Sequence, residues 1–262
     1  MNLRPRQHPR KTRNKGSRAA VALALGAAFL AGASPARADD AVPAAATPFK
    51  LTAGLYSMSG GGLPAGLGLD LNLRYTSGLG DLWLGWFRSP VLEVSQPRAG
   101  WDRTYDFGVV RFMPSLQVAS GGFWGGGVGL ETGDTWFAGA GLGRTNLRNY
   151  ANLNFDPNDA WMLWGGYRWS QSRSLSLQVV RDNRQNPSQQ NVHLLYRTPV
   201  ADQRLLTLDL LAKTGLVDGV PIHRLGLSVT YDWHQYFVRL AYDPQVNFTP
   251  QDMWRLSVGS RF

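Results

Sequence analysis

The last ten residues of the chain alternate between apolar and polar side chains along their whole length. Side chains of an extended strand point alternately to its two faces. One face therefore carries Trp254, Leu256, Val258, Ser260 and Phe262, and the other carries Arg255, Ser257, Gly259 and Arg261. This pattern predicts a strand with one surface against lipid and the other against water.

A closing amphipathic strand that ends in phenylalanine resembles the final strand of Gram-negative outer-membrane β-barrels. The resemblance is close over this strand and extends to the rest of the chain only as a pattern of alternation. It implies that Phe262 is part of the membrane-assembly signal, through which the barrel-assembly machinery would recognise the C-terminal strand. It also implies that outer-membrane lipid surrounds the folded chain.

The first segment has the three parts of a secretory signal peptide. A basic stretch from Arg4 to Arg18 precedes an apolar run from Ala19 to Ala33, and Ala36-Arg37-Ala38 has small residues at the two positions that a signal peptidase reads. We therefore predict a signal peptide over residues 1–38, a short tail over 39–47 and an outer-membrane β-barrel over 48–262. No later stretch has the length of uninterrupted apolar sequence that a membrane-spanning helix needs.

Removal of the signal peptide changes the charge balance. Eight of the 27 Lys and Arg residues precede Asp39, so 19 remain against 18 Asp and Glu. A nearly neutral domain gives no support for nucleic-acid binding, which requires a basic surface. The absence of cysteine excludes disulfides and thiolate metal sites.

Alternating segments separated by turns predict an all-β fold, a transmembrane up-and-down antiparallel barrel. Leu67 to Thr76 is the clearest two-faced strand, Thr104 to Phe112 is a further one, and Arg148 to Phe155 is a weak one. Ser89 to Gly100, with two prolines, is expected to be the longest loop. Because such barrels have even strand numbers, we predict about twelve strands within a range of ten to fourteen. A soluble β-sandwich or lipocalin-like barrel, with its apolar faces inward, is the alternative.

Counting strands back from Phe262 places the short turns at the periplasmic side and the longer loops outside. Aromatic residues then fall at strand ends, where interfacial girdles are expected. The predicted periplasmic girdle contains Tyr75, Tyr167, Trp169, Tyr196, Tyr231, Trp233, Tyr236 and Phe262, and the outer one contains Trp161, Tyr242 and Trp254.

If the apolar faces meet lipid, charged residues line the interior. The pore-lining candidates are Asp70, Arg74, His193, Arg197, Asp209, Lys213, His223, Arg239, Asp243, Arg255 and Arg261. In a small barrel such residues commonly pair with one another. Alternatively, their basic excess guides anionic solutes, which resembles the arginine-lined lumen of small monomeric porins for acidic oligosaccharides, although no specific motif assigns the chain to that family.

Two glycine rows are the second interior feature. Gly125, Gly127 and Gly129 share one face of a strand, and Gly139, Gly141 and Gly143 share one face of the next. So much glycine predicts that a bulky group approaches the strands closely or that the barrel bends there. The candidates for the bulky group are an inward Trp86 or Trp164, the N-terminal tail, an acyl chain or a sugar.

The sequence does not predict catalytic residues, a metal site or a cofactor. His193 and Asp209 are candidate cross-strand neighbours and would form half of a nucleophilic triad, but no serine accompanies them in the usual spacing. The leading hypothesis is a small porin-like channel for hydrophilic solutes, with anions favoured. A non-transporting structural or surface barrel is the second hypothesis, and a lipid-modifying or proteolytic outer-membrane enzyme is the third.

Overall fold

The computed structural model describes residues 47–62 and 65–262, which form fifteen β-strands and two short 3-10 turns. The strands are β1 (Phe49–Ser59), β2 (Gly66–Ser77), β3 (Gly80–Ser89), β4 (Val94–Asp102), β5 (Tyr105–Asp106), β6 (Val110–Ala119), β7 (Phe123–Thr132), β8 (Trp136–Thr145), β9 (Ala160–Ser170), β10 (Arg173–Asp182), β11 (Gln190–Ala201), β12 (Arg204–Val217), β13 (Val220–Trp233), β14 (Tyr236–Asp243) and β15 (Asp252–Arg261). No helix in this part of the chain is long and apolar enough to cross a membrane. The predicted signal peptide and nearly all of the predicted tail lie outside the described residues.

Antiparallel pairing closes the sheet on itself. Consecutive strands pair except β4 and β5. Instead, β4 pairs directly with β6, and β1 pairs with β15 from Lys50↔Arg261 to Ser59↔Asp252. At this seam the Phe49 amide donates to the Phe262 carbonyl at 3.0 Å, and the reverse bond is 2.9 Å long. The result is a closed up-and-down barrel of fourteen strands, with β5 attached only to β6. We call the end that holds Phe49 and Phe262 the terminal rim, and the opposite end the loop rim.

The strand number corrects the predicted value of twelve and lies at the upper end of the predicted range. The stretch from Ser89 to Gly100, expected to be a loop, contains most of β4. Pro97 is tolerated because the pairing of β4 with β6 begins only at Arg98, so its missing N–H is not needed. Similarly, Pro114 lies between the part of β6 that pairs with β4 and the part that pairs with β5.

Two predicted strands are also corrected. The segment from Thr104 to Phe112 contains only the short β5 and the beginning of β6, which runs from Val110 to Ala119. The weak strand predicted from Arg148 to Phe155 does not form. These residues belong to a loop between β8 and β9 that is folded inside the barrel.

The orientation of the two strand faces is as predicted. On β2, Leu67, Leu69 and Leu71 are 48 to 59% exposed on the outer surface, whereas Asp70 between them is 7% exposed. The outer surface is thus an apolar belt, as a bilayer requires. A soluble barrel with its leucines in a closed centre is excluded, because these leucines have no protein layer outside them.

Aromatic rings lie at both ends of the belt. At the terminal rim, Phe49 stacks on Tyr75 and Phe262 with centroids 5.0 and 5.8 Å apart. At the loop rim, Tyr242 and Trp254 are 4.7 Å apart. These positions agree with the predicted girdles and define the two edges of the apolar belt.

The two glycine rows face the interior, and Trp164 of β9 lies against them. A Cβ atom built on Gly139 would be 2.2 Å from Trp164 Cε2, and one on Gly129 would be 3.2 Å from the same ring. The indole Nε1 donates to Glu131 at 2.7 Å, which fixes the ring. Trp164 is therefore the bulky group next to the glycines, whereas Trp86, the other candidate tryptophan, lies on the outer surface.

Substitution of Gly139 by alanine is expected to destabilise the barrel, because the Trp164 ring cannot move away while Glu131 holds it. The expected loss is about 1–3 kcal/mol, measured as a lower midpoint of urea unfolding in detergent micelles. Gly126→Ala is the matched control, since its Cβ would lie 3.2 Å from the flexible end of Leu116 on the outer surface and 3.5 Å from the Ser115 carbonyl oxygen, which is an ordinary contact. Equal midpoints for the two variants would contradict this packing.

Candidate functional site

The most prominent feature of the interior is the loop of residues 146–159, which we call the inner loop. It leaves β8 at the loop rim, enters the barrel and returns to β9. Its buried residues include Tyr150, Ala151, Asn152, Leu153, Phe155, Asn158 and Asp159. A loop that is buried must satisfy its backbone polar groups within the protein.

Asparagine and aspartate side chains perform part of this task within the loop itself, as they commonly do in turns. The Asn154 amide donates to Asn152 Oδ1 at 2.9 Å, and Asn152 Nδ2 donates to the Asp156 carbonyl at 2.9 Å. At the base of the loop, Asp159 accepts from the Thr145 amide and hydroxyl at 3.0 and 2.8 Å and pairs with Arg184 at 2.6 Å.

Further contacts attach the inner loop to several strands of the wall. The Ala151 amide donates to Gln96 Oε1 on β4 at 2.8 Å, and Gln96 Nε2 donates back to the Ala151 carbonyl at 3.3 Å. Arg255 Nη1 on β15 donates to the Leu153 carbonyl at 3.0 Å. Because the loop starts between β8 and β9 and reaches β4 and β15, it crosses the lumen.

His193 on β11 connects the inner loop to a third part of the wall. Its Nδ1 is 2.9 Å from Asp209 Oδ1 on β12, and its Nε2 is 3.0 Å from Asp156 Oδ1 in the loop. The predicted contact between His193 and Asp209 is therefore present. Because carboxylates occupy both ring nitrogens, neither is available to a serine nucleophile, and the geometry does not provide the base of a triad.

The Asp156 carboxyl lies in the loop at this contact. Burial alone would raise its pKa, but the adjacent His193, the hydrogen bond from Asn191 and the charge of Lys213 together hold the pKa below its ordinary value. The carboxylate form, which accepts these contacts, thus persists to a lower pH than an ordinary aspartate would allow.

A second loop, residues 244–251 between β14 and β15, lies over the inner loop. Lys213 contacts Asp243, with both side chains fully buried, and donates to the Pro244 and Gln245 carbonyls at 3.1 and 3.2 Å. Asn247 Nδ2 donates to the Asn152 carbonyl of the inner loop at 2.9 Å. The two loops therefore interlock on the loop-rim side of the lumen.

Towards the terminal rim the inner wall is rich in cations. Lys50 on β1 lies directly between Arg261 on β15 and Arg74 on β2 in the strand register. Carboxylates support the two arginines: Arg261 is 2.8 Å from Asp232, and Arg74 is 3.0 Å from Asp81. Arg74 is also 3.4 Å from Asp102, so three cations lie side by side on this wall with carboxylates against the two arginines.

The structure divides the eleven predicted pore-lining residues into three groups. His193, Asp209, Lys213, Asp243 and Arg255 hold the two loops, while Asp70, Arg74, Arg197, Arg239 and Arg261 belong to the wall below them. His223 shares the outer face of β13 with the exposed Leu225 and Leu227. The prediction that His223 lines the interior is therefore wrong.

Several interior residues were not predicted. Lys50 follows from the alternation of the first strand and could have been found. Gln96 lies in a stretch that was interpreted as a loop, and Asp156 directly follows the weak strand predicted from Arg148 to Phe155. Glu131 is 3.0 Å from Arg111 and 2.7 Å from Arg168, forming a further ionic cluster beside Trp164.

Within residues 47–62 and 65–262, no group of three or more His, Asp or Glu side chains is arranged to hold a metal ion.

Solved structures of outer-membrane proteins share this architecture. Outer membrane protein Omp33 of Acinetobacter baumannii is 9% identical, with a TM-score of 0.50 over 82% of this chain and 98% of that one. The NanC porin is 8% identical with a TM-score of 0.45 (81% and 100% covered), and the KdgM porin is 12% identical with a TM-score of 0.42 (80% and 99% covered). No protein-family profile and no curated protein matches the chain. At these identities the similarity concerns the fold, which is that of outer-membrane β-barrels.

Proposed function

We propose that the chain is a porin-like channel of the outer membrane that passes small hydrophilic solutes and favours anions. The observation that carries the proposal is the inner loop, which crosses a lumen with a charged wall. Barrels of eight strands are filled by side chains, whereas those of sixteen or more leave an aqueous channel. The lumen of a fourteen-stranded barrel is too wide for wall side chains alone to narrow it, and the inner loop supplies the constriction.

The preference for anions rests on the cations near the terminal rim. Lys50, Arg74 and Arg261 are neighbours there, and Arg239 lies farther along the wall, where its Nε donates to Thr230 Oγ1 at 2.9 Å. Arg255 contributes less directly, since it donates to the Leu153 carbonyl and so holds the inner loop. Substitutions that test selectivity should therefore avoid Arg255.

The proposed outer-membrane location determines which end of the barrel faces the periplasm. With both termini at the periplasmic side, the inner loop and the 244–251 loop begin at the cell surface, and outer-membrane lipid contacts the apolar belt. We further propose that the barrel-assembly machinery recognises β15 together with Phe262. The backbone of Phe262 makes two hydrogen bonds to Phe49 at the end of the seam, and its side chain is 56% exposed, so the ring is accessible.

Planar bilayers provide the test. Purified wild-type protein is expected to give discrete single-channel currents. In a KCl gradient, the sign of its reversal potential should indicate that chloride passes more readily than potassium. The double variant Lys50→Gln, Arg239→Gln should shift that potential towards cations, because it removes two charges from the wall. Arg173→Gln is the matched control, since Arg173 lies outside the barrel against Trp169.

The two parts of the proposal fail separately. Folded protein that gives no current would refute the channel and leave the second candidate, a non-transporting barrel, which the interlocking of the two loops favours. Currents with an unchanged reversal potential in the double variant would refute only the role of these cations in selectivity.

A further inference from the structure

The apolar belt contains a groove that the proposed channel does not use. It has a volume of about 300 Å³ and opens on the lipid-facing surface between β15, β1, β2 and β3. Side chains that line it include Ala53, Leu55, Leu69, Leu71, Trp86 and Val258. A cavity of about 150 Å³ is sufficient to bind benzene, so this groove can hold a length of hydrocarbon chain.

The groove exists because a small residue lies in a row of large ones. In the strand register Ala53 is opposite Val258 on one side and Leu71 on the other, and Leu71 is opposite Trp86. Trp86 Nε1 donates to Ser95 Oγ at 3.1 Å, which orients the indole ring at one edge of the groove. The depression is therefore part of the packed outer surface.

An arginine lies next to the groove on its loop-rim side. Arg88 shares the outer face of β3 with Trp86, two residues away, and is directly opposite Leu69, which lines the groove. It is exposed and has no hydrogen bond or ion pair within the described part of the chain. In contrast, the outward-facing Arg181 donates to the Pro187 carbonyl at 3.1 Å. Arg88 is thus an available guanidinium at the edge of an apolar groove.

We propose that Arg88 and the groove form a binding site for lipid A, with a lipid phosphate on Arg88 and an acyl chain beside Ala53. Guanidinium groups bind phosphate through paired hydrogen bonds, and the groove accepts only hydrocarbon. An acylated phosphate ester carries both of these groups in one molecule. The choice of lipid A rests on the orientation proposed above, which places Arg88 at the outer leaflet.

The site is tested by native mass spectrometry of the full-length exported protein in mild detergent, titrated separately with lipid A, phosphatidylglycerol and phosphatidylethanolamine. The wild type is expected to retain one lipid A saturably and the other two lipids several times less. Arg88→Gln and Ala53→Leu should each lower lipid A occupancy severalfold, the first by removing the phosphate contact and the second by filling the groove. Arg181→Gln and Ala140→Leu, which change an outward arginine and an outward alanine elsewhere, should retain wild-type occupancy.

Each outcome decides the proposal. Equal occupancy in Arg88→Gln, Ala53→Leu and the wild type would overturn the site, and equal binding of phosphatidylglycerol would overturn its assignment to lipid A. A wild-type dimer that Ala53→Leu dissociates would instead make the groove an interface between two copies. Both site variants should keep wild-type conductance, so loss of lipid binding is distinguishable from failure of the channel proposal.

Discussion

Shortening the inner loop is expected to raise the single-channel conductance severalfold. Replacement of residues 149–157 by Gly-Ser-Gly removes the part of the loop that crosses the lumen and retains Asp159, which bonds to Thr145 at the base. A short linker suffices because β8 and β9 pair up to Leu142↔Trp161, close to the ends of both strands. Conductance in planar bilayers should rise because the cross-section of the aqueous path increases.

The control for this experiment is in the same loop. Arg148 and Asn149 are exposed, so Arg148→Gln with Asn149→Ser should leave the conductance at the wild-type value. Asp156→Asn combined with Arg255→Gln should give an intermediate result with frequent current fluctuations, because two of the contacts that hold the loop are weakened. If the shortened loop conducts as the wild type does, the narrowest point of the path lies elsewhere.

Replacement of Lys213 by methionine is expected to lower the free energy of unfolding by about 3–5 kcal/mol, the usual effect of removing one partner of a buried ion pair. Lys213 and Asp243 are fully buried, and the variant would leave the Asp243 carboxylate without its cation. It would also remove the hydrogen bonds to the Pro244 and Gln245 carbonyls that hold the 244–251 loop. Urea unfolding of detergent-solubilised protein, followed by tryptophan fluorescence, measures the change.

The double variant Lys213→Met, Asp243→Leu separates loss of charge balance from loss of packing. Because it removes both charges, it should recover most of the lost stability. Arg181→Gln, at an exposed position on the outer surface, should unfold as the wild type does. An unfolding midpoint of Lys213→Met equal to that of the wild type would show that the ion pair does not stabilise the barrel.

Within the apolar belt, where one strand face meets lipid and the other meets the polar interior, alternation in the sequence predicted the structure well. Leu67 to Thr76, predicted as the clearest two-faced strand, lies within β2 (Gly66–Ser77). The outward Leu69 and the inward Asp70 were also assigned correctly, since a leucine in the lumen and an aspartate in lipid are both unfavourable.

His223 was misassigned because residues 220–226 pair only with β12 and extend past the end of β14 at the loop rim. Beyond the apolar belt a polar residue can face outward without contacting lipid.

The sequence alone determined the class of fold and the direction in which each face points, because lipid and water impose a two-residue period on every strand. It did not determine the course of the inner loop, since a stretch rich in asparagine has no period and its partners Gln96, His193 and Arg255 are distant in sequence. Only the closed barrel brings these side chains to one level of the lumen. There they replace the water that would otherwise hydrate the backbone of the loop, and this exchange determines the position of residues 146–159.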